Sequence, residues 1–181
     1  MTYQFREINP SDSQRLARFF SGLSAETRRR FGPHPLDEGY ASLLCALPHD
    51  SAQRFLLLTQ DETLVIGYFI LDYAVPEHHK QRYAAQGIAL QDGLDPLFAP
   101  CIADDFQGSG CASLVMPLII HAAQERGARS IVLMGGTQAD NARAIRLYQK
   151  FGFIHHGGYQ TEVFNHDMRL LLTPSPLNGV W

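Results

Sequence analysis

Apolar positions along the 181-residue chain fall into blocks whose spacing alternates between a strand period and a helix period. Tyr3 to Ile8 reads as a first strand, ended by Asn9-Pro10. Leu16, Phe19, Phe20 and Leu23 repeat at i, i+3, i+4 and i+7, which marks a helix capped by Ser11 or Ser13. Ser24 opens a short helical piece through Phe31, and Gly32-Pro33-His34-Pro35 breaks the chain. Asp37 then caps a helix with Tyr40, Leu43, Leu44 and Leu47 on one face, stopped by Pro48. Two β-rich runs, Arg54 to Thr59 and Leu64 to Tyr73, are joined as a hairpin by Gln60-Asp61-Glu62-Thr63.

Pro76 to Pro96 is a long connection in which His79 to Gln86 is expected to be helical, ended by Gly87. An excursion of that length inside a compact domain is usually functional or carries its own helix. Leu97 to Ala103 reads as a strand despite Pro100, a residue confined to sheet edges and bulges because it lacks an N–H. An apolar-faced helix follows to about Arg126, with Leu114, Val115, Leu118, Ile119 and Ala122 toward the sheet and Pro117 expected to kink it. Ser130 to Met134 is a further strand. Asp140 is the expected cap of a helix that carries Asn141 and Tyr148 on one face and ends at Gly152. Phe153 to His156 and Asp167 to Leu172 supply two last strands. Alternating strands and helices place the chain in the α/β class, as one domain over residues 1–173 with a tail at 174–181.

Composition narrows the functional classes. A formal charge of −3 argues against a nucleic-acid binder, which usually carries a basic excess. There is no 18-residue apolar run and no N-terminal apolar h-region, so neither a membrane span nor a signal peptide is expected. Cys45, Cys101 and Cys111 are odd in number and lack CxxC spacing, which reads as reduced thiols of a cytoplasmic protein. The pairs His78-His79 and His155-His156 lack the further ligands a metal site needs and read as surface or loop histidines, so no metal is expected. Arg28-Arg29-Arg30 reads as a solvated helix face, with a phosphate or an acidic acceptor as the alternative partner.

The stretch Asp104-Asp105-Phe106-Gln107-Gly108-Ser109-Gly110-Cys111-Ala112 links the strand at 97–103 to the following helix. Gly108 and Gly110 let the backbone turn tightly, and the first-turn N–H groups then point outward at the positive end of the helix dipole. That is a cradle for a phosphate or pyrophosphate. The dinucleotide fingerprint fails because Ser113 stands where its third glycine belongs, and no Gly-Lys-Ser/Thr follows to make a P-loop. The spacing that fits is Gln107-x-x-Gly110-x-Ala112, which resembles the Arg/Gln-x-x-Gly-x-Gly/Ala loop of the GNAT superfamily of acyl-CoA-dependent N-acyltransferases. A second block, Asn141-Ala142-Arg143-Ala144-Ile145-Arg146-Leu147-Tyr148 to Gly152-Phe153, is similar to that superfamily's other signature. Leu23-Ser24-Ala25-Glu26 to Arg30-Phe31 adds a short likeness to the GNAT domains of protein-lysine acetyltransferases, with Ala25 in place of a proline.

The resemblance implies a twisted mixed sheet of about six to seven strands, helices on both faces, and a central splay that accepts pantetheine. It implies acetyl-CoA as co-substrate and direct acetyl transfer to a primary amine, a small-molecule amine being preferred over a protein lysine, in a monomer or homodimer without nucleic-acid or membrane partners. Gln107, Gly108, Ser109, Gly110, Cys111 and Ala112 would hold the pyrophosphate. Cys101 or Ile102 would offer backbone groups to pantetheine and the thioester carbonyl, which makes Ile102 a candidate in catalysis. Asn141 would contact the cofactor, with plain helix capping as its other reading. Tyr148 would protonate the departing thiolate, with core packing as the alternative. Lysine acetyltransferase relatives often carry a strand Glu near the place of Leu97, so the base stays open among Asp72, Glu77, His78, Asp95, Asp104 and water. The missing Glu also leaves open a non-catalytic acyl-CoA-binding sensor, and a looser rival is another nucleotide-binding α/β protein.

Overall fold

The computed structural model describes residues 2–48 and 50–173, so the expected tail at 174–181 lies outside the described residues. Packing sorts the chain into two compact units, one holding residues up to Ile70 with Ala99–Val115, the other Leu71–Phe98 with residues from Met116 onward. Two strands and one helix run through both.

The first unit begins with β1 (Tyr3–Glu7), followed by helices α1 (Ser13–Gly22), α2 (Ala25–Arg30) and α3 (Glu38–Ala46). Strand β2 (Ala52–Thr59) pairs antiparallel with β1 in the register Tyr3↔Thr59 to Glu7↔Phe55. Most of β3 (Val65–Asp72), the end of β4 (Leu97–Ile102) and the first turn of α5 (Cys111–Glu125) complete the unit. Successive residues Phe55 to Leu58 and Val65 to Leu71 are buried, so both faces of these strands are covered, as a sheet clad by helices on both sides requires.

Leu16, Phe19 and Phe20 are buried along α1 as their spacing predicts, but neither Ser11 nor Ser13 caps it. The side-chain cap belongs instead to Asn9, in a capping box with Asp12 around a 3-10 turn, Pro10–Asp12, that runs into α1. Asp12 is buried and answers Arg6 at 2.7 Å and Arg15 at 2.6 Å, which keeps its charge paired. Asp37 caps α3 as expected, and Ser24, expected to open a short helix, is the N-cap of α2. The buried face of α3, however, is Ala41, Leu44 and Cys45, with Leu43 and Leu47 exposed.

The second unit holds α4 (Glu77–Ala84), the start of β4, the body of α5, β5 (Ser130–Leu133), β6 (Thr137–Gln138), α6 (Ala142–Lys150), β7 (Ile154–Gln160) and β8 (Phe164–Leu171). Strand β4 pairs parallel with β5, β5 antiparallel with β8, and both β6 and β7 antiparallel with β8. The strand order is β1-β2-β3-β4-β5-β8-β6, with β7 also on β8. Eight strands exceed the six to seven expected; the two-residue β6 carries no readable period. The sheet-facing side of α5 also differs from the apolar pattern, since Cys111, Val115, Met116, Ile119 and Ala123 are buried while Leu114 and Leu118 are exposed.

The long 76–96 connection is ordered by two devices. Val75, Tyr83 and Leu90 pack with Leu97 and Val132 in one apolar cluster. Asp95, fully buried, receives Arg129 at 2.8 Å, Ser130 Oγ at 2.5 Å and the Gln91 N–H at 2.9 Å, and Arg129 also donates to Ala89 O at 2.7 Å. Burial alone would raise the Asp95 pKa, but these donors outweigh it and hold the carboxyl below the ordinary carboxylate range. Arg129→Ala leaves that carboxylate buried without its main counter-charge and should destabilise the fold by about 3–5 kcal/mol in urea unfolding. In the wild type, the part of the stability carried by Asp95 is present above about pH 4 and is lost as pH falls through its lower folded value; unfolding midpoints measured against pH check the sign.

Candidate functional site

The cradle lies wholly in the first unit. After β4 the chain makes a 3-10 turn, Asp104–Phe106, then passes Gly108 and Gly110 at φ of 77° and 91° into α5. Both angles lie in the left-handed region that only glycine enters freely. Ser109 folds back onto Phe106 O through its hydroxyl at 2.5 Å. The first intrahelical bond of α5 runs from Leu114 N–H to Gly110 O, so the N–H groups of Gly110, Cys111, Ala112 and Ser113 have no protein acceptor among the described residues. A Cβ placed on Gly110 meets nothing within 4 Å, so open space lies beside these donors. Orphan donors, the helix dipole and room for a ligand are the requirements of a phosphate site.

A polar network braces the loop. Asp104 accepts from Ser24 N–H at 2.8 Å, Ser24 Oγ at 2.6 Å and Thr27 Oγ1 at 2.7 Å, tying the start of α2 to the entry of the cradle. Gln107 donates to Thr27 Oγ1 at 2.9 Å and to Ile102 O at 3.1 Å. The sequence marked Ser24 as the start of a short helix and Asp104 as a candidate base. Geometry makes Asp104 a brace, its oxygens occupied by donors that hold its carboxyl below the ordinary range against the desolvation that would raise it. The Arg28 guanidinium, read as a solvated face, bonds instead to the carbonyls of Phe20, Leu23 and Leu36. Cys101 is buried, and burial, aided by the Asp104 carboxylate, pushes its thiol up to about 12, so it is not a nucleophile.

The second signature lies in the second unit. Asn141, not Asp140, is the N-cap of α6: its Oδ1 accepts from Ala144 N–H at 3.2 Å, leaving the amide NH₂ to donate. Tyr148 packs its ring against Phe153 with centroids 5.3 Å apart, and its hydroxyl has no protein partner among the described residues. Desolvation by burial pushes the phenol well above its ordinary pKa, so it remains a proton donor at working pH. Among the other candidate bases, Asp95 is consumed by the structural network above. Asp72 accepts from Ala74 N–H at 3.0 Å and Glu77 from Gln81 at 3.1 Å, both at the edges of the 76–96 connection, where His78 is exposed.

His79 was expected at the surface and is buried. Its Nε2 accepts from Gly135 N–H at 3.1 Å, and burial pushes its pKa to about 4, with the Arg82 and His78 charges adding to the shift. Its place one helical turn before the buried Tyr83 on α4 was the available signal. Among the described residues no group of three or more His, Cys, Asp or Glu stands together to hold a metal ion, and no helix is long and apolar enough to cross a membrane.

The model of the acetyltransferase (GNAT) family matches residues 18–153. No curated protein sequence matches the chain. Among solved structures, the GNAT domain of S. lividans PAT superposes with a TM-score of 0.73 at 20% identity, over 95% of this chain and 92% of that one. The spermidine N-acetyltransferase of Vibrio cholerae, in complex with CoA and spermine, gives 0.67 at 16% identity over 93% and 95%. The ribosomal-protein-S18-alanine N-acetyltransferase of Escherichia coli gives 0.63 at 15% identity over 99% and 100%. At these identities the likeness is one of fold.

Because space beside Gly110 is open, Gly110→Val acts on the backbone alone. Forcing a branched residue to a φ near 91° should cost about 1–2 kcal/mol. The expected result is faster amide hydrogen exchange confined to Gly108–Leu114, with β5 and β8 unchanged.

Proposed function

The chain belongs to the acetyltransferase (GNAT) family, and on that premise we propose that it transfers an acetyl group from acetyl-CoA directly to a primary amine, a small-molecule amine before a protein lysine. As a family member it is a GNAT-type N-acyltransferase. The observation that carries the reading is the row of unpaired N–H groups from Gly110 to Ser113 at the head of α5, opening on free space. A diphosphate needs such donors, and the family uses a co-substrate that has one.

Acetyl-CoA supplies the acyl group as a thioester, activated toward an amine. The protein's part is to hold and to move protons. Gln107, Gly108, Ser109, Gly110, Cys111 and Ala112 bind the pyrophosphate, and the brace of Asp104, Ser24 and Thr27 keeps that loop in place before the ligand arrives. Cys101 and Ile102 offer main-chain groups to pantetheine and the thioester carbonyl, one lone pair of Ile102 O being already used by Gln107. Asn141 donates through the amide its cap leaves free. Tyr148 presents an unpartnered O–H to the departing thiolate. Removal of the amine's proton falls to Asp72, Glu77, His78 or a water, since Asp95 and Asp104 are engaged. Leu97, where lysine acetyltransferase relatives often carry a Glu, is buried and apolar here, which supports the small-molecule preference.

Thiol release from acetyl-CoA, measured over a panel of amines and lysine peptides, tests the proposal. Tyr148→Phe should lower turnover by about 10²-fold, the usual worth of a positioned general acid. Tight acetyl-CoA binding without turnover on any acceptor would replace the enzyme with an acyl-CoA sensor. Absence of binding would remove the cradle reading itself.

A further inference from the structure

Within the second unit, the chain leaving β5 is held at one residue from two sides. The pairing of β4 with β5 ends at Phe98↔Leu133, followed by a last bond from Met134 N–H to Phe98 O. Gly135 and Gly136 then turn away at φ of 70° and 71°. The Gly135 N–H donates to His79 Nε2 at 3.1 Å, and the Gly135 carbonyl accepts from the Tyr159 hydroxyl at 2.5 Å. Both clamping side chains are themselves fixed. Tyr159 lies under the Arg82 guanidinium, 4.2 Å from ring centroid to Cζ, and Arg82 pairs with the buried Asp167 at 2.9 Å. His79 sits one turn before Arg82 on α4.

The imidazole carries a cost that a packing residue would avoid. Because Nε2 accepts, the ring proton sits on Nδ1, and that buried atom has no partner among the described residues. Burying an unmet donor is destabilising. What is obtained is an acceptor for Gly135 that stays neutral, because desolvation and the neighbouring Arg82 disfavour the imidazolium. Six residues beyond Gly135 stands Asn141, and after it the helix that bears Tyr148. Between them Thr137 and Gln138 pair with β8, and Ala139 N–H bonds to Phe164 O at 2.8 Å. The path from β5 to α6 is thus pinned along its length, with His79 and Tyr159 at its first point.

We propose that His79 is a positioning residue for acetyl transfer: by holding Gly135 it sets where the chain leaves β5 and hence where Asn141 and Tyr148 stand. The inference rests on the acetyl-transfer reading given above. A displacement of about 1 Å remote from the chemistry can cost about 10²-fold in rate.

The test compares His79→Ala, His79→Gln and Tyr159→Phe with wild type in acetyl-CoA turnover, with circular dichroism confirming the fold of each. Gln removes the same buried ring as Ala, so any general loss of packing is shared, yet its carbonyl can accept the Gly135 N–H. His79→Ala should lower kcat by roughly 10- to 100-fold while the KM for acetyl-CoA, set by the cradle, rises less. His79→Gln should restore most of that loss. Tyr159→Phe keeps the ring on Arg82 and removes only the bond to the carbonyl, and it should lower kcat in the same sense, which preserves the test if the alanine variant fails to fold. A folded His79→Ala protein with wild-type kcat overturns the proposal, as does a glutamine variant no better than alanine. An inactive wild type overturns the acetyl-transfer reading and this inference with it.

Discussion

Parallel hydrogen bonding between β4 and β5 covers only Leu97 and Phe98, although β4 itself runs on to Ile102. A strand that leaves its partner early keeps main-chain donors and acceptors that its sheet would otherwise consume, and buried groups of that kind demand a new partner. Pro100 sits in that stretch and has no N–H to lose, so the sequence departs from ladder geometry where the pairing does. Beyond that ladder β4 runs on through a 3-10 turn to the loop of Gln107 to Ala112, whereas β5 ends in register with Phe98 and its chain turns at Gly135.

Polar groups buried away from the cradle are arranged around the same need for fixed main-chain positions. Asp95 ties the end of the 76–96 connection to the start of β5 through Arg129 and Ser130, and Asp167 anchors Arg82 of α4 on β8. Asp104 does the equivalent for α2 and the cradle. In each case one carboxylate gathers several donors from segments distant in sequence. At the buried Asp95 and Asp167 a desolvated charge is tolerated only when so answered, which makes those two nodes intolerant of partial loss, whereas Asp104 lies at the surface.

The cradle was legible because its chemistry is main-chain chemistry: two glycines at the right spacing ahead of an apolar helix report a backbone path directly. The second signature was legible for its order along the chain, and Asp37 declared its helix by capping. The faces of α3 and α5 were not. Both helices carry large apolar residues on more than one side, so the apolar pattern alone does not choose, and the buried faces include small residues, Ala41 and Cys45 in α3, Cys111 and Ala123 in α5. Small side chains allow close approach of helix to sheet, a preference that hydrophobicity does not encode. The same limit hid Asp95 and His79, whose roles come from partners 34 and 56 residues away along the chain. It also displaced the caps, to Asn9 two residues before Ser11 and to Asn141 one residue after Asp140.

The burial of all three cysteines has a consequence for how such a protein coexists with its own product. Every turnover of acetyl-CoA would leave a free thiol beside the protein, and a surface thiolate there would invite transthioesterification or mixed disulfides. Burial pushes Cys45 to about 11 and Cys101 to about 12, and Cys111 is equally withdrawn from solvent. Reactivity belongs to an accessible thiolate, so Cys45 and Cys101 stay out of sulfur exchange at neutral pH, and Cys111 is shielded by its burial.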